Sequence, residues 1–112
     1  MSLPEEGYLL RIFIGERDKH AGKPLYEWIV LQARDAGLAG ATVLRGMMGF
    51  GANSRNIQTF KIERLSEDLP ILVEVVDTKE KLERFLETIE PGILAGLVTL
   101  EKAQIRFYRG ST

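Results

Sequence analysis

The most informative stretch of this chain is Gly37-Leu-Ala-Gly-Ala-Thr-Val-Leu-Arg-Gly-Met-Met-Gly-Phe-Gly51. Gly37 and Gly40 permit the positive φ angles that a helix end and a tight turn require. Residues 42–44, Thr-Val-Leu, favour an extended backbone, because Thr42 and Val43 are β-branched and suit a pleated sheet. The stretch therefore predicts a helix end, a turn and a strand in immediate succession.

Three further glycines, Gly46, Gly49 and Gly51, interrupt the second half of this stretch. A glycine lets the backbone approach another chain segment or a ligand closely, because no side chain intervenes. If the backbone approaches another chain segment, the stretch is a bulged strand end followed by a flexible loop, which is what glycine clusters indicate more often. If it approaches a ligand phosphate, the stretch is a binding loop.

The composition describes one globular domain over residues 1–112 with nearly balanced charge. A formal net charge of −1 offers no basic surface for bulk nucleic-acid binding. The absence of cysteine excludes disulfides, thiolate metal sites and cysteine nucleophiles. The acidic N-terminus lacks the apolar segment of a signal peptide, and no apolar run is long enough to span a membrane. We therefore expect a cytoplasmic protein without nucleic-acid binding or membrane insertion.

Hydrophobic periodicity predicts three more strands and two helices outward from the opening stretch. The predicted strands cover residues 8–14, 41–48 and 71–76, and a last strand forms in two short pieces at 98–100 and 104–108. One helix runs from Pro24 to Gly37, and a second follows Asp77, with Glu80 at the capping-box position. The order is β-α-β-β-α-β, the ferredoxin-like α+β arrangement of a four-stranded antiparallel sheet with two helices on one face.

Each predicted helix has one apolar face, which we expect to pack on the sheet. The two faces consist of Leu25, Ile29, Ala33 and Ala36 in the first helix and of Leu82, Phe85, Leu86 and Ile89 in the second. The other face of the sheet carries charge within an apolar surface. Strand alternation places Arg11, Glu74 and Arg106 near the middle of neighbouring strands, surrounded by Leu9, Phe13, Leu72 and Val76. We expect this face to pack against copies of the chain, because wet apolar patches are unusual; an anion site on the charged row is the alternative.

A long polar segment, residues 49–68, separates the second strand from the third. Residues 51–57 are expected to form a mobile tip, since they offer few apolar anchors. Phe60 and Ile62 alternate as an extended returning arm would. Limited proteolysis is expected to cut first near Arg55 or Lys61.

Catalytic signatures are weak in this sequence. His20 is the only histidine and lies in a charged loop without partners for a metal site, so we expect a solvated side chain. The serines have no histidine-based triad around them. We assign no catalytic residue and no metal ligand, and we expect a protein that is not an enzyme. The alternatives are a small ferredoxin-like hydrolase and a purely structural assembly subunit.

Several motifs along the chain together resemble a known family. Residues 37–43, followed by Gly49-Phe-Gly51, resemble the approach to the T-loop in the PII nitrogen-signalling proteins. The likeness extends over Gly15-Glu-Arg-Asp18, Gly22-Lys-Pro-Leu-Tyr-Glu27, Ala36-Gly-Leu-Ala-Gly-Ala-Thr-Val-Leu-Arg-Gly46 and Leu65-Ser-Glu-Asp-Leu-Pro70. The combination is similar to the PII-like family known as domain of unknown function one-ninety, in the GlnB-like superfamily.

The resemblance implies a homotrimeric signalling protein with ligand clefts between its subunits and no settled activity. It implies an adenine nucleotide site formed by Gly40, Ala41 and Thr42 at the base, Gly49 and Gly51 at the phosphate, and the arginines Arg106 and Arg109. The lysine that binds phosphate in PII proteins is missing from Glu90-Pro-Gly-Ile-Leu-Ala-Gly96. AMP or ADP is therefore expected to bind at least as well as ATP. Some relatives are encoded beside fluoride-export channels, which suggests a membrane transporter or channel as a partner, contacted through residues 49–68.

Overall fold

The main sheet has four antiparallel strands with two helices on one face, which confirms the predicted ferredoxin-like α+β fold. The computed structural model describes residues 2–52, 54–59 and 68–111, and for residues 54–59 it describes the backbone alone. The elements are β1 (Glu6–Gly15), β2 (Lys19–His20), β3 (Lys23–Pro24), α1 (Leu25–Asp35), β4 (Thr42–Arg45), β5 (Met48–Gly51), β6 (Ser54–Thr59), β7 (Pro70–Asp77), α2 (Lys79–Ile89), a 3₁₀ turn (Glu90–Gly92) and β8 (Leu97–Gln104). The sheet order is β4-β7-β1-β8, and β2–β3 and β5–β6 form two small antiparallel hairpins.

The core lies between the sheet and the helices, and strand alternation selects its residues. Alternate residues of β1 and β7 face the helices, and the apolar faces of α1 and α2 cover them. The buried cluster consists of Leu10, Ile12, Ile14, Leu25, Ile29, Ala33, Ile71, Val73, Val75, Leu82, Phe85 and Ile89. Leu86, also predicted for the second helix face, is partly buried against this cluster.

The end of α1 follows the sequence closely. Gly37 has a φ of 72°, and the Leu38 N–H donates to the Ala33 carbonyl oxygen at 3.1 Å, as in a Schellman motif. Ala36 belongs to this helix end and is exposed, so its predicted place on the buried face is wrong.

The start of α2 lies one residue later than predicted. Thr78 is the N-cap, and its side chain accepts a hydrogen bond from the Lys81 N–H at 3.3 Å. Asp77 is instead buried at 1% exposure. Its carboxylate accepts hydrogen bonds from the Ala39 and Thr78 N–H groups, which ties the start of α2 to the loop before β4.

The predicted second strand, residues 41–48, is divided into β4 and β5 because the chain turns closely against Pro70. An added Cβ would lie 2.7 Å from the Pro70 Cγ at Gly46 and 3.2 Å from it at Gly49. These two glycines therefore allow two chain segments to approach each other, as the bulged-strand interpretation predicts.

The segment after Gly51 is more regular than the sequence suggests. β6 pairs with β5, with Met48 opposite Thr59 and Gly51 opposite Ser54. Most of the tip predicted at 51–57 is therefore paired strand. The predicted arm at Phe60 and Ile62 lies outside the described residues.

The last strand is continuous rather than divided into two pieces. β8 pairs with β1 along its whole length, with Thr99 opposite Arg11 and Glu101 opposite Leu9. Arg106 therefore follows the sheet, in a tail over residues 105–111, and its predicted position at mid-strand is wrong.

Candidate ligand-binding site

Arg11 pairs with two carboxylates on the sheet face opposite to the helices, which we call the open face. Its Nε donates to Glu74 Oε2 at 3.0 Å, and its Nη1 donates to Glu101 Oε1 at 2.7 Å. The Arg11 side chain is 38% exposed in the single chain. Because two carboxylates surround one guanidinium, this row attracts anions poorly. The arrangement favours charge pairing within a packing surface over the anion-site alternative.

One apolar row crosses all four strands of the open face. Leu44, Leu72, Phe13 and Leu97 are register partners from one edge of the sheet to the other. Phe13 is 39% exposed, Leu44 48% and Leu97 57%. Contiguous apolar side chains of this kind mark a surface that packs against another molecule.

A cleft of about 560 Å³ opens where the apolar row reaches the end of the sheet. Its walls come from the end of β1, from β5, from the start of β7 and from the chain before β8, and they include Phe13, Gly49, Gly51, Pro70 and Leu97. An added Cβ on Gly51 would meet no heavy atom within 4 Å, so this glycine faces open space. The volume is that of a typical small-molecule site.

Two carboxylates in the cleft wall were not identified from the sequence. Asp18 Oδ2 accepts a hydrogen bond from the Gly15 N–H at 3.0 Å, and Asp68 Oδ1 accepts one from the Arg17 N–H at 2.7 Å. The Asp68 carboxylate lies so close to Gly15 that an added Cβ there would be 2.6 Å from Oδ2. Both aspartates belong to motifs that carry the family resemblance, but neither motif indicated its place in a cleft.

The residues predicted to contact the adenine base lie at the end of the sheet opposite to the cleft. Thr42 begins β4 and is paired with Glu74, and Gly40 and Ala41 directly precede it. An added Cβ on Gly40 would meet no heavy atom within 4 Å. The backbone at this position is therefore open to a close approach.

The predicted arginines lie on the exposed tail, which reaches this same end. The Tyr108 hydroxyl donates to the Ala39 carbonyl oxygen at 2.6 Å, one residue before Gly40. The Arg109 Cζ lies 4.3 Å from the centre of the Phe107 ring, in cation–π contact. The structure thus places the tail of Arg106 and Arg109 beside Gly40, Ala41 and Thr42.

The two groups of predicted site residues are far apart within one chain. Asp77 contacts Ala39 at one end of β7, and Pro70 packs beside Gly49 at the other. These eight residues of strand span about 23 Å at ~3.3 Å per residue. One nucleotide therefore cannot contact both groups in a single copy of the chain.

His20 differs from its prediction as a solvated side chain. It is half-buried, and its ring centre lies 3.9 Å from that of Trp28.

Across residues 2–52 and 68–111, no group of three or more histidine and acidic side chains could hold a metal ion. No helix in the described part of the chain is long and apolar enough to cross a membrane.

The strand order and the two-helix layer define the class: an α+β protein of the ferredoxin-like kind, with a cleft at one end of its sheet. Within that class, the chain belongs to the DUF190 family, described as an uncharacterised ACR, whose family model matches residues 7–105. It is similar to a UPF0166 protein of Aquifex aeolicus, with 42% identity over 97 residues that cover 87% of this chain and 90% of the relative. These findings confirm the family that the motifs indicated.

Two solved structures share the fold at low sequence identity. CPII of Thiomonas intermedia K12, a nitrogen regulatory PII-like protein solved with ADP, AMP and bicarbonate, matches with a TM-score of 0.67 and 19% identity, covering 89% of this chain and 88% of CPII. A protein of Thermus thermophilus, described as a putative PII-like signalling protein, matches with a TM-score of 0.62 and 17% identity, covering 89% of each chain. At these identities the comparison establishes a PII-like fold.

Proposed function

We propose that this chain is a cytoplasmic, non-enzymatic PII-like regulatory protein that binds an adenine nucleotide, AMP or ADP, between the subunits of a homotrimer. The observation that carries the proposal is the open cleft beside Gly49 and Gly51, in a fold shared with a protein solved with ADP and AMP. Gly51 has no side chain to fill the cleft, so its backbone is accessible to a phosphate.

The separation of the two residue groups supports a site between subunits. Gly49 and Gly51 lie at one end of the sheet, and Gly40, Arg106 and Arg109 lie at the other end. A site that uses both groups joins the first end of one copy to the second end of the next. Such head-to-tail contacts are heterologous and form a ring when the rotation closes. Burial of the apolar row on the open face provides a driving force for this assembly.

The proposed contacts follow from the chemistry of each group. The adenine base lies against the backbone of Gly40, Ala41 and Thr42, and the phosphate lies against Gly49 and Gly51 of the neighbouring copy. Arg106 or Arg109 then donates charge-assisted hydrogen bonds to the phosphate, each contributing about 1.5–3 kcal/mol.

We propose that the partner is a membrane transporter or channel, contacted through residues 49–68. Met47 and Met48, at the start of the β5–β6 hairpin, are 79% and 61% exposed, and Phe50 is 55% exposed. Methionine and aromatic side chains at a surface are typical of protein contacts, because they adapt to a partner's shape. The same hairpin forms a wall of the cleft, so a bound nucleotide can influence the hairpin directly.

Titration calorimetry with AMP, ADP and ATP tests the ligand. Gly51→Val is a clean test variant, since the added side chain enters open space and Gly51 has no positive φ. We expect it to abolish binding, while Thr88→Val on the exposed side of α2 leaves binding unchanged. Arg109→Ala is expected to weaken binding about 10- to 150-fold and to reduce its salt dependence.

Arg84→Ala, on the exposed side of α2, removes the same charge and is expected to have no effect. Absence of heat with every adenine nucleotide at millimolar concentration would contradict the proposal. Unchanged affinity in both Gly51→Val and Arg109→Ala would remove the proposed site. An intact trimer that binds no nucleotide would leave the structural assembly subunit as the function.

A further inference from the structure

The carboxylates of Asp18 and Asp68 give the wall of the cleft a negative charge. Asp18 and Asp68 both lie against Gly15, and backbone N–H groups hold one oxygen of each carboxylate at 3.0 Å and 2.7 Å. Because these donors belong to the β1–β2 turn itself, the two carboxylates are positioned by the fold and do not depend on a ligand. Each carboxylate keeps a second oxygen that these backbone bonds do not use.

No described lysine or arginine side chain lines this cleft. Glu16, in the same turn, is paired with Arg45 at 3.0 Å and adds little net charge. The other described walls are glycines, Ala52, Ala95 and apolar side chains such as Phe13, Pro70 and Leu97. Apolar walls screen charge less than water does, but the cleft is open at Gly51, so a phosphate there experiences the aspartates through an effective dielectric constant between that of a protein surface and that of water.

We propose that Asp18 and Asp68 determine the specificity of the cleft by limiting the number of phosphate charges that it accepts. This inference rests on the proposed nucleotide site. We expect the affinity to fall with the number of phosphates, so that AMP binds more tightly than ADP, and ADP more tightly than ATP. Each added phosphate brings negative charge toward two fixed carboxylates. At about 6 Å and an effective dielectric constant of about 40–80, one carboxylate weakens the binding of each added unit charge about three- to tenfold.

Charge removal without loss of the backbone contacts tests the inference. Asp18→Asn and Asp68→Asn each keep a side-chain oxygen that accepts the hydrogen bond from Gly15 or Arg17. We expect the ratio of the ATP dissociation constant to that of AMP to fall at least three- to tenfold in each variant and further in the double variant. Glu83→Gln, on the exposed side of α2, removes one negative charge away from both groups of proposed site residues and should leave the ratio unchanged.

The titrations are performed in EDTA at low salt and repeated with Mg²⁺. The inference is overturned if the unsubstituted protein binds AMP and ATP with equal affinity. It is also overturned if the ratio of the ATP dissociation constant to that of AMP is the same in the unsubstituted protein and in both variants. A preference for Mg²⁺-ATP that is lost in the variants overturns it as well, since the aspartates would then bind the metal.

Inorganic tripolyphosphate distinguishes failure of this inference from failure of the proposed function. It tests the charge of the cleft without the adenine contacts. We expect thermal stabilisation by tripolyphosphate to be greater in Asp18→Asn and Asp68→Asn than in the unsubstituted protein. Equal stabilisation overturns the charge argument, whereas a difference with no binding of any adenine nucleotide overturns the nucleotide assignment and leaves the charge argument intact.

Discussion

The Tyr108 hydroxyl lies 2.6 Å from the Ala39 carbonyl oxygen, to which it donates a hydrogen bond. This bond joins the tail that follows β8, at one edge of the sheet, to the loop that precedes β4, at the other edge. The tail begins its path at Ile105, whose N–H donates to the Glu5 carbonyl oxygen at 2.7 Å. The C-terminal segment is thus held across the end of the sheet, which places Arg106 and Arg109 at the end that carries Gly40.

The first prediction concerns this anchor. Tyr108→Phe removes only the hydroxyl and is expected to lower the free energy of unfolding by about 0.5–1 kcal/mol, because the bond is partly exposed. The larger effect is expected in hydrogen exchange, where the amides of residues 105–109 should lose protection. Tyr26→Phe on α1 is the control, since no hydrogen bond of its hydroxyl is present in the described part of the chain. Unchanged protection of the tail would show that Tyr108 does not anchor it.

The second prediction tests whether the open face is covered by other copies. In a single chain the Arg11–Glu74 pair is partly exposed, and Glu74→Ala would cost at most about 1 kcal/mol. In an assembly that buries the face, the loss leaves Arg11 with Glu101 as its partner, and the cost rises toward about 3–5 kcal/mol where the pair is fully buried. We therefore expect Glu74→Ala to dissociate the oligomer in light scattering at micromolar concentration.

Glu87→Ala, on the exposed side of α2, removes the same charge away from the sheet and should leave the oligomer intact. A stable monomer of the unsubstituted protein at micromolar concentration would contradict the proposed assembly.

Elements whose apolar residues follow a regular local pattern could be predicted from the sequence. Leu10, Ile12 and Ile14 alternate within β1, so its buried face follows directly. Gly37 marks the end of α1, because its φ of 72° strongly favours glycine. The pairing of Arg11 with Glu74 followed once the order of the elements had defined the strand neighbours.

Contacts between distant segments could not be predicted in this way. Glu101 takes the place expected for Arg106, because the register of β8 depends on where the chain rejoins the sheet after the 3₁₀ turn. Asp18 and Asp68 meet at Gly15 only because the β1–β2 turn packs against the start of β7. His20 reaches a ring partner for a related reason, since the β2–β3 hairpin lies beside α1.

The third prediction concerns the two-residue turn of the β2–β3 hairpin. Ala21 and Gly22 have φ angles of 52° and 81°, as a type I′ turn requires, and the flanking residues His20 and Lys23 are paired. A positive φ costs alanine about 1 kcal/mol, whereas asparagine tolerates it better. Ala21→Asn is therefore expected to raise the melting temperature by a few degrees. Gly22→Ala is the reverse control and should lower it; a lower melting temperature in Ala21→Asn would show that the turn is not strained.

The fourth prediction concerns the packing of Gly92 against two rings. An added Cβ at this buried glycine would lie 2.6 Å from Trp28 Cζ3 and 3.0 Å from His20 Nδ1, so these two rings, which are tilted against each other, would have to move. Overpacking of this kind costs about 1–3 kcal/mol, and we expect Gly92→Ala to lower the free energy of unfolding by that amount. Trp28 is the only tryptophan, so its fluorescence should change with the substitution.

A double-mutant cycle shows whether the steric contact is the cause. In a Trp28→Leu background the six-membered ring that meets the new Cβ is gone, so Gly92→Ala should cost at least about 1 kcal/mol less than in the unsubstituted chain. Gly110→Ala is a matched control, because an added Cβ there meets no heavy atom within 4 Å. An equal cost of Gly92→Ala in both backgrounds would mean that the loss arises from the backbone after α2, and that the rings do not determine the need for glycine.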